Sequence, residues 1–309
     1  MNGLSLHVGS AVADLLILGP WPEVFSEDVT YAESVRLSPG GDALNQAFAV
    51  ASLGLPCRLV GKMGDDDLGR FLLTKAEKLG VDTSCMIVSP EVSTSLSTLL
   101  VQKDGSRHII GSRYGAGSTL KAAEIADRCF EGVSLVSIGS LYSSRSITGE
   151  LCEDVLTRAK AAGCVTVLDM MYKKGVLFED AVRAIRCADF FLPNRDEALQ
   201  LAETDDPDEA AARFLAAGAK TVVIKCGAEG CLLYHEGEKQ LIPGFPANAV
   251  DTTGAGDTFT AGFIAGLRRE LPLIRAIRLG HAAGAVCVEQ IGAGGNLPPL
   301  AELNKRFSL

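Results

Sequence analysis

Nine residues, Asp251-Thr252-Thr253-Gly254-Ala255-Gly256-Asp257-Thr258-Phe259, hold two carboxylates, two glycines and three threonines. Helix-compatible residues follow from Thr258 to about Arg268, and Gly244 to Val250 reads as an extended approach. The pattern is a turn that opens a helix on bare backbone N–H groups. Such a start binds anions, because the first N–H groups lack intrahelical partners and the helix dipole adds partial positive charge. Gly254 and Gly256 let a phosphate approach the backbone. A carboxylate would repel phosphate if anion binding were the only task there. Asp257 makes sense as a base that takes a proton from a hydroxyl attacking the phosphorus.

Four other groups could join this chemistry. Ser38-Pro39-Gly40-Gly41-Asp42-Ala43-Leu44-Asn45 is a second glycine turn opening a helix, with Asp42 and Asn45 on its first turn. With Asp14, at the end of the first apolar run, these could grip several hydroxyls. They read equally well as polar residues at a helix start, with Asp14 in a solvated turn. Asn194-Arg195-Asp196-Glu197 follows a short apolar strand. Asn194 and Glu197 could hold water around magnesium, or could simply cap a helix. Lys225-Cys226-Gly227-Ala228-Glu229-Gly230 could rest against a nucleotide or be a plain turn. The glycine-rich run after Val288 could aim carbonyls at a cation or be a helix C-cap.

The elements that would position these residues alternate regularly. Leu4–Leu18 reads as a first strand, and residues from about Asp42 to Leu53 as a helix closed by Gly54. Asp104-Gly105 between Ser/Thr-rich runs at Ser95–Gln102 and Arg107–Gly111 signals a hairpin. From Leu135 onward short buried strands alternate with helices, ending in helices at Thr258–Arg268, Pro272–Gln290 and Pro298–Arg306. This predicts a mostly parallel sheet covered on both faces, with ligands at the carboxyl ends of its strands.

Composition sets bounds. With 309 residues, 47% hydrophobic and 22% charged, the chain can build a sizeable core. A net charge of −9 argues against a nucleic-acid-binding surface. The nine cysteines form no C-x-x-C pair and read as small buried hydrophobes in a reducing compartment. There is no basic-then-apolar leader and no apolar stretch of about 18 residues, so a cytoplasmic protein without a membrane partner is expected. No G-x-G-x-x-G follows the first strand, which argues against a dinucleotide-binding oxidoreductase.

Three motifs, in order, carry a family resemblance. Asp251-Thr252-Thr253-Gly254-Ala255-Gly256-Asp257 resembles the C-terminal signature of the PfkB (ribokinase-like) carbohydrate kinases. Gly40-Gly41 with Asn45 is similar to the N-terminal signature, and Asn194-x-x-Glu197 to the magnesium-associated motif. The likeness covers nearly the whole chain. It implies an α/β fold, a three-layer sandwich with a mostly parallel central sheet, over a single kinase domain 1–309. It also implies a small β-sheet lid from about 15–37 and 93–113. It makes Asp257 the base and the N–H groups of Gly254, Ala255 and Gly256 the anion hole. Asp14, Gly41, Asp42 and Asn45 would meet the sugar, with Arg107 on the lid. Asn194, Lys225, Gly227, Gly256 and His281 would surround ATP, and Glu197 would hold Mg2+ through water. Asp251, Thr253, Cys287, Gln290, Gly292 and Asn296 match a monovalent cation site, with K+ as the ion. Lid edges could pair two copies into a homodimer.

The departures narrow the substrate. Ribokinases resemble G-G-K-G-A-N, whereas this chain has Asp42 in place of that Lys and Val12 in place of an Asn before Asp14. Both argue against ribose. Asp169-Met170-Met171-Tyr172-Lys173 replaces the D-P-N-x-R run of fructokinase-like members, so no role is carried over to it. No arginine cluster lies near the first signature, which argues against a pre-phosphorylated sugar, although Arg107 and Arg113 keep it open. The expectation is ATP-dependent phosphorylation of a hydroxyl on a small sugar. A nucleoside kinase is the alternative, with Tyr114, Tyr142 and Trp21 as stacking candidates. A non-catalytic sugar- or nucleotide-binding regulator is the other.

Overall fold

The computed structural model describes residues 1–19, 26, 28–102, 107–290, 292 and 297–309. Trp21, the Asp104-Gly105 turn, the side chain of Arg107 and Asn296 lie outside the described residues.

The strands are β1 (Leu4–Val8), β2 (Val12–Leu18), β3 (Ser34–Gly40), β4 (Cys57–Val60), β5 (Lys62–Gly64), β6 (Ile87–Ser89) and β7 (Leu96–Val101). They continue with β8 (Arg107–Gly111), β9 (Val133–Leu141), β10 (Val165–Met170), β11 (Phe190–Phe191), β12 (Thr221–Lys225), β13 (Cys231–His235) and β14 (Glu238–Ile242). The helices are α1 (Asp42–Ser52), α2 (Asp67–Lys78), α3 (Gly149–Ala161), α4 (Phe178–Ile185) and α5 (Arg195–Ala202). They end with α6 (Pro207–Ala216), α7 (Ala255–Arg268), α8 (Leu273–Val288) and α9 (Leu300–Phe307). Most sequence-derived boundaries shift by only a residue or two, the usual uncertainty of helix and strand ends.

One sheet has eight strands in the order β14-β13-β12-β11-β10-β9-β1-β4. Its β4-to-β12 portion is parallel, and β13 and β14 run antiparallel at one edge. Side chains alternate between its faces. Val136, Leu168 and Val222 pack with α3 to α6, while their neighbours Leu135, Val167 and Val223 pack with α1, α7 and α8. The result is a three-layer sandwich with a core on each side of the sheet. Eight of the nine cysteines are buried and Cys187 is half-buried. Among the described residues no helix is long and apolar enough to cross a membrane.

The apolar run expected as one strand is two strands in two sheets. β1 joins the large sheet, and β2 joins a four-stranded sheet ordered β3-β2-β7-β8. The break falls at Gly9, whose φ of 150° is one that residues with a Cβ rarely adopt. Asp14 therefore lies inside a strand of the small sheet, not at the end of a central one. The expected hairpin is present as antiparallel β7 and β8.

Helices α7 and α8 pack at backbone contact. A Cβ on Gly262 would lie 2.6 Å from the Leu279 carbonyl oxygen and 2.8 Å from the Ala283 Cβ. Small residues at this seam fix the height of α7 above the sheet, and with it the position of Asp257.

Candidate active site

The start of α7 lies three residues earlier than the sequence suggests, so Asp257 is inside its first turn. Gly254 caps the helix in the left-handed conformation, φ 75°, and no side chain bonds the first N–H groups. A bare N-terminus on a 14-residue helix is the anion-binding geometry expected of this turn.

Asp257 is buried, and its Oδ2 accepts a hydrogen bond of 2.9 Å from Asn45 Nδ2. Asn45 projects from α1, so the two helix starts, 212 residues apart in sequence, converge on one carboxylate. Close approach of backbones places α1 there. A Cβ on Gly139, near the end of β9, would lie 2.5 Å from the Ala43 amide nitrogen. Burial pushes the Asp257 carboxyl well above the usual carboxylate range, and the neighbouring Asp42 and Asp169 charges push the same way. The Asn45 bond and the Lys225 charge oppose them.

Asp42 is the first residue of α1, with its pKa raised by burial and by Asp169, and tempered by a hydrogen bond from Ser140 and by Lys225. Its buried Oδ2 has no hydrogen-bond partner among the described residues. Asp14 reaches in from β2, and its carboxylate occupies the space that a Cβ on Gly40 would need. Burial, with the Asp42 charge behind it, pushes Asp14 up to about 7. Gly41, at φ 93°, turns the chain from β3 into α1 where a Cβ would lie 2.6 Å from the Ser10 carbonyl oxygen. The expected acceptor group of Asp14, Gly41, Asp42 and Asn45 is thus one cluster, shared between the small sheet and α1.

Asn194 and Glu197 form a reciprocal capping box. Asn194 Oδ1 accepts from the Glu197 N–H at 2.9 Å, and Glu197 Oε2 from the Asn194 N–H at 2.8 Å. Burial pushes the Glu197 carboxyl up to about 7, with Lys225 opposing and Asp169 adding to the rise. A half-buried carboxylate in the first turn of a helix suits a hydrated divalent cation.

Lys225 ends β12 and is half-buried, its ammonium paired with the buried Asp169 at 2.7 and 2.8 Å to the two carboxylate oxygens. Its Nζ lies 3.4 Å from where a Cβ on Gly256 would stand, beside the α7 start. Its pKa is raised: burial alone would lower it, but Asp169 and Glu197 outweigh that. Gly227, at φ 58°, begins the turn after β12, with open space where a Cβ would be. His281 is a buried α8 residue whose ring packs edge-on against Phe259, with centroids 5.1 Å apart. Burial holds it near 4, so it is neutral, although a bond with the Ile242 backbone pushes the other way.

Of the six residues expected around a monovalent cation, all but Asn296 lie among the described residues. Asp251 Oδ1 accepts from the Thr253 N–H and hydroxyl at 2.9 and 2.7 Å, and Oδ2 accepts from the Gly292 N–H at 2.8 Å. It braces the α7 approach against the segment after α8. The Cys287 thiol donates to the Thr253 carbonyl at 3.5 Å, and Gln290 Nε2 donates to Val286 at 3.5 Å. These carboxylate and carbonyl oxygens suit a hard cation.

Three residues that bond into this cluster carry no motif signal in the sequence: Asp169, Thr260 and Ser140. Lys225 ends β12 and Asp169 lies one residue before the end of β10, and opposite charges at the ends of two apolar strands were the available signal. Tyr142 is a buried core residue donating to Asp180 at 2.8 Å, which removes it as a stacking partner. Tyr114 is 74% exposed, and Trp21 lies outside the described residues.

The profile of the pfkB family carbohydrate kinases matches residues 4–300. The chain belongs to this family. It is a carbohydrate kinase, a phosphotransferase that uses an alcohol group as acceptor. Among curated relatives of this kinase, ribokinase of Haemophilus influenzae is 29% identical, the alignment spanning 96% of this chain and 95% of that protein. Probable fructokinase-5 of Arabidopsis thaliana is also 29% identical, spanning 90% and 91%. Among solved structures, Arabidopsis thaliana ribokinase complexed with ribose and ATP superposes with a TM-score of 0.85 at 26% identity, covering 100% of both chains. The ribokinase of Thermotoga maritima gives 0.83 at 28% identity, covering 100% of this chain and 99% of its own. The family's ribokinase-like fold accounts for the large sheet, its flanking helices and the separate small sheet.

Proposed function

We propose that this carbohydrate kinase transfers the γ-phosphoryl group of ATP to a hydroxyl of a small, uncharged sugar, with Asp257 as general base. The observation that carries this reading is the Asp257 carboxylate, buried within the bare first turn of α7 and gripped by Asn45. The acceptor oxygen bonds to the γ-phosphorus as the bond to the bridging oxygen breaks, ADP leaves, and the hydroxyl proton passes to Asp257. The N–H groups of Gly254, Ala255 and Gly256 hold the charge on the phosphoryl oxygens. Asn194, Lys225, Gly227, Gly256 and His281 border the nucleotide. Glu197 is the residue that would hold magnesium through water; when bound, that ion neutralises phosphate charge.

Asp14, Gly41, Asp42 and Asn45 form the acceptor side. Two carboxylates there accept from hydroxyl donors and repel carboxylate or phosphate, so a neutral sugar fits better than a sugar acid or sugar phosphate. The small sheet carries Asp14 and would act as a lid that excludes water from the phosphoryl group. A coupled ADP-release screen over ketoses, aldoses, polyols, sugar acids, sugar phosphates and nucleosides tests this. Acceptor-dependent ADP release with neutral sugars, lost in Asp257→Asn, is the expected outcome. Release with nucleosides alone would favour the nucleoside-kinase alternative, for which Tyr114 is the exposed aromatic. No release with any acceptor would favour a non-catalytic regulator.

Two further parts of the reading have their own tests. The donors of Asp251, Thr253, Cys287, Gln290, Gly292 and Asn296 are proposed to hold K+, mostly through backbone oxygens. kcat should then rise several-fold when potassium replaces tetramethylammonium; equal rates in the two salts would remove the site. A homodimer through the small sheet is supported by its outer face. Leu37 and Val35 on β3 and Ile110 on β8 are 41%, 59% and 53% exposed, and registered pairing puts Leu37 and Ile110 in one row with Leu15 and Thr98. Such a patch marks an interaction surface. Sedimentation at micromolar concentration should give twice the chain mass, and a monomer would dismiss the pairing.

A further inference from the structure

Asp169 is a heavily bonded carboxylate near the site, and no step above uses it. It is 2% exposed, near the end of β10. Lys225 Nζ, two strands away on β12, donates to both its oxygens. The Thr260 hydroxyl on α7 donates to Oδ2 at 2.8 Å, and the Met170 N–H to Oδ1 at 2.8 Å. Thr260 is one helical turn after Asp257, so Asp169 ties the helix that carries the base to the strand that carries the ammonium. A buried ion pair costs much desolvation and gives little net stability compared with apolar packing. Its position beside Gly256 offers a reason for it to be there.

We propose that Asp169 is a positioning residue: its bonds to Lys225 and Thr260 fix the ammonium beside the first turn of α7, so that base and anion hole face one fixed positive charge. This rests on the reading of Asp257 as the base. Charged and polar groups face Asp257 from several elements. Asp42 and Asn45 come from α1, Asp169 from β10 and Lys225 from β12. Glu197 on α5 senses Asp169, Lys225 and Asp42, and Asp14 on β2 senses Asp42. Within this group Lys225 is the positive charge and Asp169 its direct partner.

The charges predict opposite effects for the two partners. Asp169→Asn removes a negative neighbour and leaves Lys225 unmatched, so Asp257 ionises at lower pH. Lys225→Met leaves Asp169 unmatched, so Asp257 ionises at higher pH. The base works ionised, so kcat/KM for the acceptor falls as pH drops through this ionisation. The acid limb should move down by about one unit in Asp169→Asn and up by about one unit in Lys225→Met. Thr260→Val keeps both charges and should leave the limb in place while lowering kcat.

Two readouts test this. One is kcat/KM from pH 5 to 9 at saturating magnesium-ATP, with the best neutral sugar from the acceptor screen as probe. The other is the carbon-13 carboxyl resonance of the protein without ligands, assigned to Asp257 by its loss in Asp257→Asn. The resonance keeps the two ideas apart: without any kinase activity the proposed reaction fails, while the titration still reports on the positioning. The double variant Asp169→Asn/Lys225→Met carries no unmatched charge and is the reserve if a single variant does not fold. Its resonance should titrate near the wild-type value. Shifts in the same direction for both single variants, no shift in either, or a double variant displaced by a full unit would overturn the proposal.

Discussion

Asp257→Asn is expected to lower kcat by about 10²–10⁴-fold, the usual contribution of a positioned general base, with the ATP KM little changed. The amide keeps the shape of the carboxylate and can still accept from Asn45, so the helix start and its N–H groups stay in place. It cannot take the proton of the attacking hydroxyl. The same substitution should leave the protein at least as stable at pH 8. Burial raises the proton affinity of Asp257 in the folded state, so the folded chain binds this proton more tightly than the unfolded chain does. The stability it contributes is fully present below the ordinary carboxylate range and is lost as pH rises through the raised value. An amide has no such loss. Melting curves at pH 5 and pH 8 beside steady-state kinetics check both halves. A variant with full activity would sink the assignment of the base, and one with a collapsed melting temperature would make the lost rate a folding effect.

The second large effect is expected on the acceptor side. Asp14→Ala should raise the acceptor KM about 10–100-fold and leave the ATP KM unaltered, since a hydrogen bond to a charged group contributes about 1.5–3 kcal/mol. Gly40→Ala should do much the same without touching the carboxylate, because its Cβ needs the volume that the Asp14 side chain fills. The pH dependence adds a sign. Asp14 is pushed up to about 7, so its carboxylate is largely protonated at pH 5.5 and ionised at pH 8.5. Affinity for hydroxyl donors should therefore improve as pH rises through 7, and this dependence should vanish in Asp14→Ala. Acceptor KM measured at both pH values in the wild type and the two variants decides it. An unchanged acceptor KM in Asp14→Ala removes this residue from the site.

Much of this was legible in the chain alone. The glycines and carboxylates of Asp251 to Asp257 announced a helix start with an acid in it, because such a start depends on local backbone geometry. Strand–helix alternation after Leu135 gave a covered parallel sheet, since burial on both faces leaves continuous apolar runs. Asn194 with Glu197 could be read as a cap or as a metal motif, and the local bonds make it a cap whatever else it holds.

Other features depended on contacts that no local pattern encodes. The run from Leu4 to Leu18 looked like one strand, because apolarity does not say which sheet a residue joins; the backbone at Gly9 divides it. Asp169 and Lys225 lie 56 positions apart, and their pairing exists only because β10 and β12 flank β11. The convergence of Asn45 on Asp257 likewise needs two helix starts brought over the ends of the same strands, through backbone contact at Gly139 and Gly262. By itself the sequence pointed to phosphoryl transfer and to the helix start proposed to perform it, because bare N–H groups and a neighbouring carboxylate are local properties. Only the tertiary structure decided which carboxylates cluster together and in which direction each is driven from its ordinary proton affinity, because desolvation and Coulomb interactions act through space and not along the chain.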